Sequence, residues 1–135
     1  MRPFICVAMA AAALAACGPD IKPPTTRGVC WLMTTEQGQP RFTPLTEYND
    51  SLNSCAGQIE AVRMRGGQGD ALTGAYNGHF IFVNAESMQT ADRLKGNRSQ
   101  LFTPALRAEL QKQIKAAIEA DPEFGTVRAQ SQPAP

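Results

Sequence analysis

The sequence predicts an α+β domain: a small antiparallel sheet of about four strands, in the order ββαββ, packed by two main helices and closed by one disulfide. Two pairs of short strand-forming runs flank turn residues, which is typical of hairpins. Two longer stretches repeat apolar residues at intervals of three and four, which is typical of helices with one buried face. The chain has four cysteines, and two of them remain for a disulfide once the N-terminal region is set aside.

The first predicted hairpin joins residues 29–33 to residues 41–45 through a turn around Gly38. Trp31, the single tryptophan, should face away from Cys30 because side chains alternate along a strand. We interpret Trp31 as a core or half-buried aromatic residue, and stacking against a ligand is the alternative.

The first predicted helix covers residues 50–65 and ends at Gly66. Its buried face should carry Leu52, Cys55, Ile59 and Val62. Because Cys55 lies on that face, it can reach Cys30 on the first strand, and an oxidising compartment would pair the two. The spacing of these cysteines does not favour a metal or redox site, so we expect a structural disulfide.

The second hairpin has the clearest local signal. Asn77-Gly78 lies between two strand-forming runs, residues 72–76 and 79–83, and both turn residues tolerate the positive φ of a tight hairpin. The second run is apolar on both faces, as expected for a central strand covered on both sides.

Two helices are expected after this hairpin. Residues 84–95 could form a short helix with Met88, Ala91 and Leu94 facing inward. A longer helix should begin at Thr103-Pro104, since threonine caps well and proline suits the first helical position. Its apolar stripe would contain Leu106, Leu110, Ile114, Ala117 and Ile118, with Arg107 among the residues that cover the other side.

The N-terminus reads as an export signal. Arg2 precedes an uncharged apolar run over residues 4–16, which is too short to span a bilayer in the usual way. Leu14-Ala15-Ala16-Cys17 closely resembles the lipobox of bacterial lipoproteins. This resemblance implies cleavage before Cys17, a lipid on its thiol and, because Gly18 follows, sorting to the outer membrane. We expect the domain to face the periplasm, and the cell exterior is the alternative. An ordinary secretory signal that contains a cysteine is the alternative.

These features divide the chain into four segments. We predict a signal peptide over residues 1–16, a lipidated cysteine and proline-rich tether over 17–27, a single domain over 28–121 and a disordered tail over 122–135. In polyproline geometry the tether would span roughly 30 Å and hold the domain off the membrane.

Charge and motifs exclude several function classes. The net charge is +1 and both signs are interspersed, whereas nucleic-acid binders usually carry a basic excess. His79 is the only histidine, near Tyr76 across the second hairpin, and no serine lies in a nucleophile-elbow motif. Glu60 and Arg63 suggest a surface ion pair. We therefore expect no catalytic residues, no metal site and no cofactor.

Three hypotheses for function remain open. The first is a non-enzymatic binding or accessory module, held in the membrane by lipid on Cys17 and bound to an envelope protein. The second is a periplasmic binder of a small ligand or an enzyme inhibitor, and the third is a hydrolase using His79. An accessory module predicts an exposed apolar patch without a cleft, whereas a ligand binder predicts a concave apolar pocket with a few polar groups.

Contacts with a ligand or partner are expected at a small set of exposed or aromatic residues. The densest positive patch contains three cations, which could touch lipid headgroups, lipopolysaccharide or peptidoglycan, or could simply form a solvated loop. The candidate contact residues are Trp31, Tyr76, His79 and the patch Arg93, Lys95 and Arg98. The oligomeric state does not follow from the sequence.

Overall fold

The computed structural model describes residues 20–127, which form six strands and two helices in the order ββαββββα. The elements are β1 (Cys30–Glu36), β2 (Gln39–Thr46), α1 (Leu52–Arg65), β3 (Leu72–Tyr76), β4 (His79–Val83), β5 (Met88–Ala91), β6 (Ser99–Gln100) and α2 (Pro104–Ala120). All six strands join one antiparallel sheet in the order β2-β1-β3-β4-β5-β6. The α+β class is confirmed, but the sheet has six strands instead of about four.

The helix expected over residues 84–95 is wrong. The Asn84 carboxamide oxygen accepts the backbone N–H groups of Glu86 and Ser87, each at 2.8 Å, and the Asn84 N–H donates to the Ser87 carbonyl at 3.0 Å. This side-chain turn sends the chain back along β4. Met88–Ala91 then pairs with β4, because sheet pairing and burial outweigh the weak helical spacing.

Both helices cover one face of the sheet, here called the inner face. Its core contains Cys30, Leu32, Cys55, Ala56, Ile59, Val62, Leu72, Tyr76, Ile81, Val83 and Met88. Ser51 caps α1 by accepting the Ser54 N–H, and Gly66 ends the helix at a φ of 87°. The predicted disulfide is confirmed, since Cys30 is bonded to Cys55 and so joins β1 to α1.

Helix α2 begins as predicted, with the Thr103 hydroxyl accepting the Leu106 N–H and Pro104 at the start. Its buried face differs from the prediction in part. Ile114 is buried as predicted and Leu110 packs against the inner core, whereas Leu106 is 60% exposed and Arg107, which was assigned to the other side, is 5% exposed. The helix is rotated so that Arg107 turns inward, because a buried carboxylate on α1 pairs with it.

The opposite side of the sheet, here called the outer face, has a smaller apolar cluster. Its members are Ile21, Met33, Phe42, Phe80, Phe82, Ala91 and Leu94. Residues 20–27 lie against the domain at this side, because Ile21 packs in the cluster and the Pro24 carbonyl accepts the Gly78 N–H at 2.9 Å. Within residues 20–127, neither helix is long and apolar enough to cross a membrane.

Candidate functional site

A cleft of about 480 Å³ lies between the end of β2, one side of α1 and the segment that follows α2. Apolar side chains of Leu45, Val62 and Phe124 form part of its lining, and Thr46 and Gln58 add polar groups. The remaining lining residues are Glu47, Tyr48, Ala61, Asp121, Glu123, Gly125 and Thr126. The cleft therefore has an apolar floor and a polar rim.

One wall of the cleft is the segment after α2, which makes defined contacts with α1. The Arg65 guanidinium donates to the Pro122 carbonyl and, at 3.1 Å, to the Phe124 carbonyl. Gly125 has a φ of 76°, and a Cβ there would lie 2.9 Å from the Ala61 carbonyl oxygen. This part of the predicted tail therefore needs glycine for its close approach, while residues 128–135 lie outside the described residues.

A hydrogen-bond network centred on Asn49 positions the opposite wall. Asn49 is 8% exposed, and its carboxamide oxygen accepts Gln58 Nε2 at 2.8 Å and the Ser54 hydroxyl at 3.2 Å. Its carboxamide nitrogen donates to Thr46 Oγ1 at 2.5 Å, and its carbonyl accepts the Tyr76 hydroxyl at 2.7 Å. These bonds couple the loop after β2 to α1 and to β3.

Tyr48 stands at the rim in an unusual conformation. Its φ is 67°, a left-handed value that costs a residue with a Cβ some backbone energy. The side chain is nevertheless 94% exposed, so packing of the ring does not account for that conformation. The buried Asn49 beside it holds the backbone instead, and the result is an aromatic ring presented to solvent next to the cleft.

The charges that line the cleft are negative. Glu47, Asp121 and Glu123 contribute carboxylates, and the lining residues of this described cleft include neither lysine nor arginine. Arg65 lies behind the segment, where its donors are directed to backbone carbonyls. The arrangement favours a positively charged group near the rim.

A second polar cluster is buried between the helices. The Glu60 carboxylate, which is fully buried, accepts hydrogen bonds from Arg63 at 2.7 and 3.0 Å, Gln111 at 2.7 Å and Arg107 at 3.2 Å. Arg107 also donates to the Asn84 carbonyl. The sequence suggested that Glu60 forms a surface ion pair with Arg63. That prediction is wrong, because Glu60 is buried.

The pKa of Glu60 reflects two opposing effects. Burial raises this pKa, but hydrogen bonds from Arg63 and Gln111 and the charges of Arg63 and Arg107 lower it more. The net pKa lies below the ordinary value of 4.5. Glu60 is thus an ionised structural residue that joins α1 to α2, and it lies outside the cleft lining.

Most residues that the sequence suggested for ligand contact lie away from this cleft. The Tyr76 hydroxyl is buried against Asn49. His79 Nδ1 lies 2.7 Å from Asp92 Oδ1, and the His79 side chain is 51% exposed. The hydrolase hypothesis requires His79 to be buried in a cleft beside a serine or a carboxylate. His79 does lie beside the Asp92 carboxylate, but both side chains are exposed.

Two of the other suggested residues, Trp31 and Arg98, lie at the outer face. Trp31 faces this side, since its neighbour Cys30 lies in the inner core, and the Trp31 indole N–H is buried without a hydrogen-bond partner among residues 20–127. The Arg98 guanidinium lies 3.7 Å from the centre of the Phe82 ring. Arg93 and Lys95 are exposed in the loop after β5.

Cys17 and the predicted signal peptide lie outside the described residues. The cleft itself was missed, because its lining comes from three segments that are distant in sequence. A weak signal was present in the loop at residues 47–50, where an acid, an aromatic residue and an amide follow one another directly after a strand. Among residues 20–127, no group of three or more His, Cys, Asp or Glu residues could hold a metal ion.

Comparisons with models of known protein families, with curated proteins and with solved structures gave no match to this chain.

Proposed function

We propose that this chain is a lipid-anchored, non-enzymatic binding protein of the bacterial envelope, and that the cleft beside Tyr48 binds its ligand. The anchor is proposed from the lipobox that ends at Cys17, which implies attachment to the outer membrane. The binding role is proposed from the cleft. An accessory module that works through protein contacts alone needs no such concavity.

The observation that carries the proposal is the size and lining of the cleft. Its volume of about 480 Å³ falls in the range of small-ligand sites. Leu45, Val62 and Phe124 offer apolar surface. Thr46 and Gln58 are polar but already bond to each other and to Asn49, so only their remaining donor and acceptor capacity can serve a ligand. A few polar groups over an apolar floor can orient a ligand while burial of its apolar part supplies most of the binding free energy.

The charges indicate the chemical class of the ligand. Glu47 and Asp121 place carboxylates at the rim, and the exposed Tyr48 ring can accept a cation on its face. We therefore propose an organic cation with an apolar portion, such as a protonated amine attached to a small hydrocarbon or aromatic group. An anion of the same shape should be repelled.

A matched pair of probes tests this site. Phenethylamine and 3-phenylpropionate have similar shapes and opposite charges, and their binding to isotope-labelled protein can be followed by NMR. The amine should shift the backbone signals of residues 45–48 and 121–126, and Glu47→Gln and Tyr48→Ala should each weaken this effect. Glu86→Gln is the control, because Glu86 is exposed in a loop outside the cleft lining. Equal shifts from the two probes, or shifts elsewhere, would contradict the proposal.

The anchor is tested separately. Bacteria that express the full chain are fed labelled palmitate, and label should appear on the wild-type protein but not on Cys17→Ala. If both forms stay unlabelled, the lipid anchor is wrong, whatever the cleft binds.

A further inference from the structure

The outer face of the sheet lacks the helical cover that protects the inner face. Phe80 and Phe82 form its centre, with ring centroids 6.2 Å apart, and Phe42 lies 6.4 Å from Phe80. Met33 and Phe42 are only partly buried. The cover consists of two chain segments, residues 20–27 and the loop at residues 92–98, of which Ile21 and Leu94 pack on the cluster.

The first of these segments carries the proposed lipid anchor close to the outer face. Ile21 packs on the cluster, and contacts of Pro24 and Gly28 with the β3–β4 turn hold the rest of the segment. Asp20 follows Cys17 by three residues, so their Cα atoms cannot be more than about 11 Å apart. The sequence predicted a tether of roughly 30 Å, but only the three residues 17–19 remain to separate the lipid from the domain. The membrane therefore stays close to this side of the domain.

The two segments are also basic. Their exposed charged residues are the cations Lys22, Arg27, Arg93, Lys95 and Arg98 and the anions Asp20 and Asp92. One of the two anions, Asp92, pairs with His79, and the Arg98 guanidinium lies over the Phe82 ring, 3.7 Å from its centre. Cations around a partly exposed apolar surface complement an anionic lipid leaflet.

We propose that the outer face of the sheet lies on the membrane that holds the lipid of Cys17, with its basic segments against anionic headgroups. The proposal rests on the lipid anchor of the proposed function. It places α1 and α2, which cover the inner face, on the side away from the membrane. One wall of the cleft is formed by α1 residues, so in this orientation that wall lies on the side away from the membrane.

Trp31 is a native probe for this orientation, because it is the only tryptophan and lies on the outer face. The acylated full-chain protein is reconstituted into vesicles of phosphatidylcholine with or without phosphatidylglycerol, and fluorescence is quenched by lipids that carry a nitroxide on the headgroup. The control is Trp31→Phe combined with Leu106→Trp, which moves the fluorophore to an exposed position on α2. Trp31 should be quenched strongly in anionic vesicles, and the fluorophore on α2 should be quenched little.

The contribution of the cations is tested by charge reversal. Each cation at an anionic lipid surface strengthens the binding of the protein to that surface about fivefold. Arg93→Glu with Lys95→Glu should therefore lower the lipid quenching of Trp31 in anionic vesicles, whereas Lys112→Glu with Lys115→Glu, the same change in net charge on exposed positions of α2, should not.

The outcomes separate the two proposals. If the wild-type protein does not float with vesicles, the proposed lipid anchor is wrong, and the proposed orientation is refuted as well. If the protein floats but both fluorophores are quenched alike, the anchor stands and the orientation is refuted. Equal quenching of Trp31 in neutral and anionic vesicles, or equal effects of the two charge reversals, refutes the contact between the cations and the headgroups.

Discussion

Glu60→Gln should destabilise the domain strongly, because it removes a buried charge and keeps the shape of the side chain. The carboxylate accepts four hydrogen bonds, two from Arg63 and one each from Arg107 and Gln111. A glutamine amide offers only one oxygen, so its NH₂ group would face a guanidinium donor. Arg107 would also lose its charge partner while it is 5% exposed.

The size of the effect follows from this geometry. Removal of one partner of a buried ion pair typically costs about 3 to 5 kcal/mol, because the other charge stays buried and uncompensated. An amide retains part of the hydrogen bonding, so we expect a loss of about 3 kcal/mol in the free energy of unfolding. Domains of this size have only about 5 to 15 kcal/mol in total, so the variant should be folded but much less stable.

Urea denaturation of the wild type, Glu60→Gln and the exposed control Glu86→Gln measures this difference. The midpoint should fall for Glu60→Gln without a change in the slope m, which indicates altered stability instead of altered compactness. Glu86→Gln should behave like the wild type. A loss below about 1 kcal/mol for Glu60→Gln would refute the reasoning, because it would place the cluster among weak surface pairs.

The pH dependence gives a second view of the same residue. The pKa of Glu60 is lower in the folded state than the ordinary 4.5, so its ionised form contributes stability that is present above that value and lost as the pH falls through the folded pKa. The stability difference between the wild type and Glu60→Gln should therefore be largest near neutral pH and should shrink below pH 4.5. A difference that stays constant into acid would contradict the assignment of an ionised Glu60.

Three further variants test other contacts. Replacing Cys30 and Cys55 with alanine should lower the melting temperature, since the bond closes a separation of 25 residues and such a loop is worth about 3 kcal/mol; an unchanged melting temperature would be the contrary result. Gly74→Ala should cost about 1 to 3 kcal/mol in urea denaturation, because its Cβ would lie 2.5 Å from a backbone oxygen of β1 and still closer to a side chain of α1. Gly125→Ala should leave the core folded but weaken binding of phenethylamine in the NMR titration, because a Cβ there meets the backbone of α1 at 2.9 Å; unaltered binding would show that this wall does not shape the site.

Several local features were predictable because their determinants are neighbours in the sequence. Asn77 and Gly78 adopt the expected positive φ values, 47° and 84°, and connect β3 to β4 as predicted. Thr103 and Pro104 begin α2, since a cap depends on a few adjacent residues. The apolar run of β4 is buried on both faces, although the outer cover is made of chain segments and not of helices.

Features that depend on distant segments were not predictable in the same way. The spacing of Leu106 suggested a buried position, but Arg107 is buried instead, because Glu60 lies 47 residues away in sequence and next to it in space. Residues 88–91 form a strand because the backbone groups along one edge of β4 pair with them. In each case, a contact made only after folding outweighs a weak local preference.

The sequence by itself determined the α+β class, the second hairpin, the Thr103 cap of α2, the end of α1 at Gly66 and the pairing of Cys30 with Cys55, and it supplied the lipobox from which the membrane anchor is proposed. Only the tertiary structure decided that residues 20–27 lie along the sheet, that Glu60 is buried and that a cleft exists beside Tyr48. The physical reason is the distance along the sequence between the residues that interact. Turns, caps and periodicity act between near neighbours, whereas a cleft and a buried ion pair form only where distant segments pack together.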